Sequence, residues 1–502
     1  MSAVDERDGR AHRADSPTLY ERSRPGRRAC ALPASDVPAT PLPAELARET
    51  LRLPELAQLD VVRHYTALAH RNFGVDSGFY PLGSCTMKYN PRLGEEVARL
   101  AGFAEAHPLA DAEHVQPLLG VMLDLQRWLA ELAGLSAVSL QPAAGAHGEL
   151  TALLMMRAYH ADRGEGARNR VLIPDSAHGT NPASTTMAGM IAVEIPSDPR
   201  GNVDLGALRA ACDERVAGLM ITNPNTLGLF EEQIEAVVET VHRHGGLVYG
   251  DGANMNALAG VVRPGDLGID LMHFNLHKTF ATPHGGGGPG SGPVAARSDL
   301  ADYLPGPVVA RSGEVGAGVL ALVEPRRSIG RMCAFHGNFG MLLRAWAYLR
   351  VLGGDGLRRM AEHAVLNANY LLARLRGRFP VPYDRSCMHE LVCEGRIEGS
   401  DVRALDICKR LLDHGIHPPT NYFPLIVHEA LMIEPTETES RETLDAFLAA
   451  LGAICDEAVR SPERLREAPH TTPVGRLDEV RAARHPVLVD AAVGGGGGTG
   501  AR

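Results

Sequence analysis

The chain has 502 residues, 45% of them hydrophobic and 22% charged, and 50 Lys+Arg against 60 Asp+Glu give a formal net charge of −10. This length and composition predict roughly two to four globular domains with substantial cores. The mildly acidic balance, with no basic block interleaved with aromatic residues, argues against nucleic acid as a partner, and no apolar stretch approaches the length of a membrane span.

Cysteine usage and the N-terminal sequence bear on the cellular compartment. The eight cysteines form no Cys-x-x-Cys pair, which predicts reduced thiols and no metal site. Residues 1–30 are rich in arginine but also carry several acids and have no apolar centre. They are typical of neither a secretory signal nor an organelle transit peptide, so we expect a bacterial cytoplasmic protein.

Residues 1–114 are predicted to form an N-terminal arm followed by an active-site or interface loop. About the first sixty residues are polar and punctuated by proline, which is typical of an arm that wraps a neighbour or of a disordered leader. The loop that follows spans residues 77–91 and contains Lys88 within the run Ser-Cys-Thr-Met-Lys-Tyr-Asn-Pro.

Residues 115–334 are predicted to form a large α/β domain with a mostly parallel sheet. Helices are expected at 115–135 and 148–163, and they alternate with short β-rich runs. Ligand sites in such sheets lie at the carboxyl ends of the strands. The β-rich runs are Ala137–Leu140, Val171–Pro174, Ile191–Ile195, Gly218–Thr222, Leu247–Asp251 and Leu271–Phe274.

The rest of the chain is predicted to contain a smaller domain and a terminal extension. Residues 335–376 read as long helices interrupted at Gly353-Gly354, and the remainder of 335–470 mixes strands with helices. We therefore expect a small α+β C-terminal domain over 335–470. Residues 471–502 form an extension whose glycine-rich tail, Gly494–Gly498, is predicted to be disordered.

The turn Gln141–Glu149 joins a predicted strand to a helix and is a candidate phosphate site. Its small residues Ala144, Gly145 and Ala146 would let backbone N–H groups and the helix N-terminus hold an anion. A tight turn without a ligand uses the same residue types, so both interpretations stay open.

An acid ends another predicted strand. Asp251 follows the run Leu247–Gly250 and opens Asp-Gly-Ala-Asn, which includes Ala253. An acid at this place can pair with a pyridinium nitrogen and keep it protonated, which makes the ring an electron sink. A helix cap or a metal ligand remains an equal alternative for the isolated residue.

A histidine follows the strand-like run Val171–Ile173. His178 lies in Asp-Ser-Ala-His-Gly-Thr-Asn-Pro, residues 175–182. Its imidazole is a candidate to stack on a flat ring, and the alternative is a histidine that caps the next turn.

Lys278 is one of only three lysines in a chain that takes nearly all its positive charge from arginine. A lysine amine, unlike a guanidinium, can lose its proton when buried and then attack a carbonyl. Lys278 follows the run Leu271–Phe274 and precedes the glycine-rich segment Pro283–Gly290, whose backbone can approach a bulky ligand closely. It is therefore a candidate Schiff-base nucleophile.

These four features follow one another along the chain, each near the end of a predicted strand. A phosphate cradle, a ring-stacking group, an acid and an amine together match the needs of pyridoxal 5'-phosphate (PLP). A nucleotide-binding interpretation of Gly285–Gly290 fits less well, because the run is not G-x-G-x-x-G before a helix and a P-loop lysine follows its glycines.

The other two lysines suit a Schiff base less well. Lys409 lies in an amphipathic helix predicted over 402–412. Lys88 has no acid or phosphate cradle after it, so we interpret it as a substrate contact or a structural lysine.

Four long runs carry a resemblance to a known family. The segments 80–91, 175–184, 223–230 and 275–290 strongly resemble the glycine cleavage system P-protein family, in particular the second chain of its two-chain form. The resemblance runs from about residue 19 to residue 488. It implies a fold-type I PLP-dependent transferase, similar to aspartate aminotransferase.

The resemblance also implies roles for individual residues. PLP is expected as a covalent aldimine at Lys278, with Asp251 at the pyridine nitrogen and His178 over the ring. The implied catalytic residues are Lys278, His178 and His277. The implied cofactor-binding residues are Lys278, Asp251, Ala253, His178, Ala144, Gly145, Ala146 and Thr279.

The reaction and partners implied by the family are specific. An aminomethyl-transferring glycine dehydrogenase of this kind removes CO2 from glycine and passes the aminomethyl group to the lipoyl arm of H-protein. A homologous first half, here a separate subunit 1, would complete an α2β2 assembly. The freed Lys278 amine and His277 or His284 are candidates to shuttle protons, and the two imidazoles can instead brace the loop.

Other interpretations remain open from the residues alone. Another fold-type I enzyme, such as an aminotransferase or a cysteine desulfurase, shares the cofactor motifs, and Cys85 is the one cysteine in a suggestive loop. A non-catalytic scaffold subunit is a further alternative, although such a subunit has no chemical need for both Lys278 and Asp251.

Overall fold

The computed structural model describes residues 17–47, 53–285, 288–311 and 318–488. The chain separates into two compact units, one formed by residues 75–466 and the other by the two chain ends, 1–74 and 467–502. The beginning of the predicted leader, residues 1–16, and the glycine-rich tail lie outside the described residues.

The unit built from the chain ends contains three short helices among its described residues. The first begins with a capping box, in which Thr18 and Glu21 satisfy each other's backbone N–H groups. An ion pair joins Arg27 to Asp60 at 3.0 Å. The helices are α1 (Leu19–Arg22), α2 (Gln58–Ala69) and α14 (Glu479–Arg484).

The larger unit holds the remaining helices and all the strands of the described chain. Its helices are α3 (Leu93–Ala98), α4 (Ala101–Ala104), α5 (Gln116–Ala133), α6 (Gly145–Asp162), α7 (Thr180–Met187), α8 (Leu205–Ala211), α9 (Ile234–Arg243), α10 (Phe339–Leu375), α11 (Ala404–Asp413), α12 (Arg441–Arg460) and α13 (Pro462–Arg466). Its strands are β1 (Ala137–Ser139), β2 (Arg170–Pro174), β3 (Ile191–Ile195), β4 (Val216–Thr222), β5 (Leu247–Asp251), β6 (Leu271–His273), β7 (Val294–Ala296), β8 (Val308–Arg311), β9 (Leu320–Val323), β10 (Leu391–Glu394), β11 (Thr420–Asn421) and β12 (Ala430–Ile433).

A seven-stranded sheet with the order β1-β7-β6-β5-β4-β2-β3 forms the centre of this unit. The pairs among β2 to β6 are parallel, which confirms the predicted mostly parallel sheet. The sequence did not predict β7, which pairs antiparallel with both β1 and β6. This strand has three residues and follows a glycine-rich segment, so it offers no periodic pattern from which to recognise it.

Both faces of the sheet are covered, as the continuous apolar runs predict. In β5, Val248 packs into the core that contains α5, α9 and the start of α10. Its neighbours Leu247 and Tyr249 pack into the opposite core, under α6. All seven residues of β4 are buried, which is typical of a central strand in a parallel sheet.

A smaller sheet with the order β10-β12-β11 lies near the C-terminal end of the same unit. It packs with α11 and α12 around a core that includes Ile407 and Phe447. Helix α10 leads into this region and is interrupted at Gly353, whose φ of 61° departs from helical geometry at the predicted break. We propose that residues 335–470 act as the small domain and 115–334 as the large one.

Among the described residues, no helix is both long and apolar enough to cross a membrane.

Candidate active site

The predicted phosphate turn lies at the start of helix α6. Ala144 precedes the helix and provides no side-chain cap for its first N–H groups. A Cβ atom added to Gly145 would lie 2.0 Å from Oδ1 of Asn275, so only glycine fits here without a shift of its neighbours. The uncapped N–H groups and the helix dipole make this helix end a site for an anion such as phosphate.

A cavity of about 220 Å³ opens at this helix end and at the carboxyl ends of β4, β5 and β6. Seven of the nine predicted site residues line it, and the other two, Ala144 and Thr279, are sequence neighbours of lining residues. The seven are Gly145, Ala146, His178, Asp251, Ala253, His277 and Lys278. Residues that the sequence did not single out also line it: Ser84, Glu149, Thr180, Thr222, Thr226, Asn254 and Asn275.

Asp251 is buried at the end of β5 and surrounded by groups that favour its charged form. Burial alone would raise its pKa, but nearby His273, the amide of Asn181, the charge of Lys278 and the N–H of Ala253 together lower it. Asn181 Nδ2 and the backbone N–H of Ala253 each donate to the carboxylate at 3.0 Å. The carboxylate is therefore ionised and able to hold a proton on a ring nitrogen.

A second buried acid, Glu149 of helix α6, ties the His178 loop to the wall of the cavity. Its oxygens accept hydrogen bonds from Thr180 at 2.8 Å, Asn181 at 3.0 Å and Ser184 at 3.2 Å. The Nδ2 group of Asn181 also donates to Asp251. One amide therefore joins the two carboxylates and fixes the start of α7 beside them.

His178 is exposed and lines the same cavity. Its Nδ1 lies 2.8 Å from Oγ1 of Thr180, and its ring meets that of Phe423 edge-on with centroids 5.7 Å apart. These contacts hold the imidazole at the cavity wall. Its stacking on a cofactor ring stays a prediction.

A series of buried polar side chains that the sequence did not reveal extends from Asp251 into the sheet. His273 of β6 is 3.6 Å from Oδ1 of Asp251, and its Nδ1 makes a short hydrogen bond with the hydroxyl of Tyr249. The amide of Asn275 lies 3.0 Å from Nε2 of the same imidazole. Asn275 follows β6 and fits the rule that sites lie at the carboxyl ends of strands (the strand-end rule). His273 ends β6 but lies inside the run Leu271–Phe274 that the sequence predicts as a strand, and Tyr249 lies inside β5, so neither residue carries that signal.

Lys278 lies in the turn after β6, where its backbone N–H donates to the carbonyl of Asn275 at 3.1 Å. The side chain is half-buried and lines the same cavity as Asp251. Its charge lowers the pKa of Asp251 and of His277. The amine predicted from the sequence thus acts electrostatically on the predicted acid, and both line one cavity.

The histidines beside Lys278 are kept neutral. Burial, with smaller contributions from His284, Lys278 and His273, lowers the pKa of His277 to about 3. The rings of His277 and His284 are 5.0 Å apart, and burial lowers the pKa of His284 as well. A group with so low a pKa carries protons poorly near neutral pH.

The buried imidazole of His277 makes the stability of the fold depend on pH. Its folded pKa of about 3 is below the ordinary 6.5, so between these values the unfolded chain binds a proton that the folded chain does not. The contribution of His277 to folding stability is therefore fully present above pH 6.5 and is lost as the pH falls towards 3. We expect this group to lower the free energy of unfolding by about 2 kcal/mol at about pH 5 relative to about pH 7. Urea unfolding of the wild type and of His277→Gln at both pH values measures it. Other groups titrate equally in both proteins, so equal losses would contradict the assignment.

Cys85, the candidate for a desulfurase nucleophile, is also unsuited to that role. Burial raises the pKa of its thiol to about 11, although the charge of Lys278 acts in the opposite direction. A reactive cysteine needs a lowered pKa, because the thiolate is the nucleophile.

The residues of this cavity fit PLP. The uncapped end of α6 suits its phosphate, the ionised Asp251 suits its ring nitrogen, and Lys278 lines the same space. One buried polar atom of a residue that lines the cavity, Oγ1 of Thr222, has no hydrogen-bond partner among the described residues. Orphaned buried atoms of this kind at a cavity indicate a polar ligand.

Comparison with protein families and curated proteins gives concordant matches. A family model described as "Glycine dehydrogenase, C-terminal domain" matches residues 360–470, and one described as "Aminotransferase class-V" matches residues 154–288. A probable glycine dehydrogenase (decarboxylating) subunit 2 of Caldanaerobacter subterraneus subsp. tengcongensis is 54% identical over 94% of this chain and 98% of its own. The protein of the same description from Lysinibacillus sphaericus is 56% identical over 95% of this chain and 99% of its own.

Solved structures share the fold. A glycine decarboxylase (P-protein) of the glycine cleavage system, in inhibitor-bound form, superimposes with a TM-score of 0.71 at 23% identity, over 82% of this chain and 93% of its own. A glutamate decarboxylase of Lactobacillus brevis gives a TM-score of 0.63 at 13% identity, over 86% and 96% of the two chains. These likenesses confirm the predicted fold-type I architecture.

Proposed function

The chain belongs to the glycine dehydrogenase (decarboxylating) subunit 2 family, and from this premise we propose that it is the PLP-binding chain of a glycine cleavage P-protein. It is a PLP-dependent enzyme that decarboxylates glycine. The observation that carries the proposal is the meeting of Lys278, Asp251 and the uncapped end of α6 in one cavity, within a chain 54% identical to its relatives over nearly its whole length.

Each predicted residue has a proposed task at this cavity. Bound PLP supplies an electron sink for the electron pair that remains when a carboxylate departs. The N–H groups at Gly145 and Ala146 hold the phosphate, Asp251 keeps the ring nitrogen protonated, and Lys278 anchors the cofactor covalently. The backbone next to the cofactor is formed in part by Ala144, Ala253 and Thr279.

The imidazoles divide the remaining tasks. His178 covers the ring from the exposed side, held there by Thr180. His277 lines the cavity in its neutral form, and its low pKa makes it a poor proton carrier near neutral pH. The exchange of protons with Lys278 therefore requires another group.

The proposed partners follow from the family. A separate subunit 1 completes the assembly, which we propose to be an α2β2 heterotetramer, and lipoylated H-protein receives the aminomethyl group. All eight cysteines are free thiols, which supports the cytoplasm of a bacterium as the compartment.

Co-purification with a candidate subunit 1, followed by a CO2-exchange assay, tests this function. Exchange of labelled CO2 into the glycine carboxylate is expected only when both subunits and lipoylated H-protein are present. Stoichiometric PLP on this chain is expected and would rule out a scaffold role. The proposal is wrong if the complete mixture shows no exchange.

A further inference from the structure

Two glutamates of the small sheet face each other beside the active-site cavity. Glu390 precedes β10 and Glu434 follows β12, and the register that pairs Leu391 with Ile433 places the two glutamates opposite one another. Both are completely buried. A carboxylate oxygen of Glu390 and one of Glu434 lie within 4.8 Å of each other. Two negative charges this close in a buried site repel strongly, which favours a single proton shared by the pair.

The hydrogen bonds of the two glutamates differ, and the difference indicates which member of the pair is charged. Glu434 accepts from the N–H and hydroxyl of Thr86 at 2.9 and 2.7 Å and from Nδ2 of Asn256 at 2.9 Å. Glu390 accepts a single bond, from the N–H of Ser84 at 2.8 Å. Its Oε1 has no hydrogen-bond partner among the described residues, and Nε2 of His389 lies 3.7 Å from it. Three donors stabilise a carboxylate, whereas a buried carboxyl oxygen that accepts no hydrogen bond favours the protonated, neutral form.

The charges around the pair agree with this assignment. Burial and the charge of Glu434 raise the pKa of Glu390 well above its usual range, and Lys278 and the N–H of Ser84 lower it only in part. Burial also raises the pKa of Glu434, but the bonds from Thr86, the charge of Lys278 and the amide of Asn256 act against it.

The pair belongs to the surroundings of Lys278. Ser84, which is bonded to Glu390, lines the cavity together with Lys278. Lys278 acts electrostatically on both glutamates, on Cys85 and on His389.

Among the groups whose pKa is shifted by the charge of Lys278, the others do not exchange protons readily near neutral pH. Burial lowers the pKa of His389 to about 3, as it does for His277, and lowers that of His284. The thiol of Cys85, with a pKa of about 11, keeps its proton. Asp251 is ionised and committed to Asn181 and Ala253. Glu390 is the remaining acid of this group with a proton to give.

We propose that Glu390 is held as a neutral carboxylic acid and exchanges its proton with the Nζ amine of Lys278 during turnover. When the amine is released from the cofactor, the O–H bond of Glu390 breaks and an N–H bond of the ammonium forms, which leaves a carboxylate. The reverse transfer restores the carboxylic acid and the amine before the amine bonds again. Glu390 thus acts through Lys278, and this role rests on the proposed function.

Infrared spectroscopy of the purified full chain tests the protonation state without any turnover. The wild type is expected to show the C=O stretch of a protonated carboxyl group near neutral pH, and Glu390→Gln is expected to lack it. Glu457→Gln is the matched control, because Glu457 is paired with Arg410 as a carboxylate and its loss should leave the band intact. In Glu434→Gln the band should disappear at a lower pH than in the wild type, because the neighbouring charge is gone. A wild type without the band, or a Glu390→Gln variant that keeps it, would overturn the proposal.

Kinetics of the assembled enzyme test the exchange with Lys278. The amide oxygen in Glu390→Gln still accepts from Ser84, so bound PLP and the KM for glycine should be unchanged, while kcat for CO2 exchange falls about 10²-fold or more. Wild-type kcat in this variant would refute the proton exchange and leave the proposed function standing. A wild type without exchange would refute the function, and the infrared band would still decide the state of Glu390. His389, Glu390 and Glu434 each place a potential metal ligand within 4.8 Å of the others, so a stoichiometric divalent cation in the wild type that is lost in Glu390→Gln would overturn the proposal in favour of metal binding.

Discussion

Replacing Lys278 with alanine is expected to remove the covalent link to the cofactor and nearly all activity. The visible absorbance band of lysine-bound PLP should vanish, and PLP should be lost on gel filtration. Glycine-dependent CO2 exchange should fall by about 10²- to 10⁴-fold or more, because the variant loses both the anchor and a proton-carrying amine. Absorbance spectra and the exchange assay on the co-purified subunits measure both effects.

Lys409→Ala is the matched control for this substitution. Lys409 lies on α11 and does not line the cavity, so its variant should keep the band and the activity. A Lys278→Ala protein that retains the wild-type band would show that another group holds the cofactor. Lys88 is the only other lysine of the chain, and its fixed contacts, described below, exclude it from that role.

The strand-end rule predicted much of the site because it depends on local sequence. Asp251 ends β5, and Lys278 and His178 follow β6 and β2, so each could be assigned to the same edge of a parallel sheet before the sheet was seen. Thr222 ends β4 at the same edge, and its hydroxyl is a polar group of the kind that the rule identifies. The fold class followed from the same alternation of strands and helices.

The parts of the site that the sequence did not reveal depend on contacts between distant segments. Glu390 and Glu434 reach the active site only because the small sheet brings them to residues 84–86, which are 306 and 348 positions away in the chain. Neither glutamate is in a strand-end motif of the large sheet. The pairing of β10 with β12, which sets them opposite each other, is a property of the folded register.

Lys88 is a further case in which only the structure separates the two sequence interpretations. Its side chain is 1% exposed, and its amine donates to Glu437 at 2.8 Å, to the carbonyl of Thr279 at 2.9 Å and to the hydroxyl of Tyr348 at 3.0 Å. Burial acts to lower its pKa, but Glu437 and Tyr348 outweigh this and raise it. The side chain is structural, and it braces the residue that follows Lys278.

Lys88→Met is expected to destabilise the protein by about 3 to 5 kcal/mol, because it leaves the charge of Glu437 buried without its partner. Urea unfolding followed by circular dichroism measures the shift. The double variant Lys88→Met/Glu437→Gln should recover much of the loss, because a buried ion pair replaced by neutral groups of similar size is often nearly neutral in stability. Lys409→Met, on α11, should lose much less stability.

A single variant as stable as the wild type would mean that the pair contributes nothing to stability. A double variant no more stable than the single variant would place the loss in the bonds to Thr279 and Tyr348. Recovery of stability without recovery of kcat would show that Lys88 also positions the turn that carries Lys278.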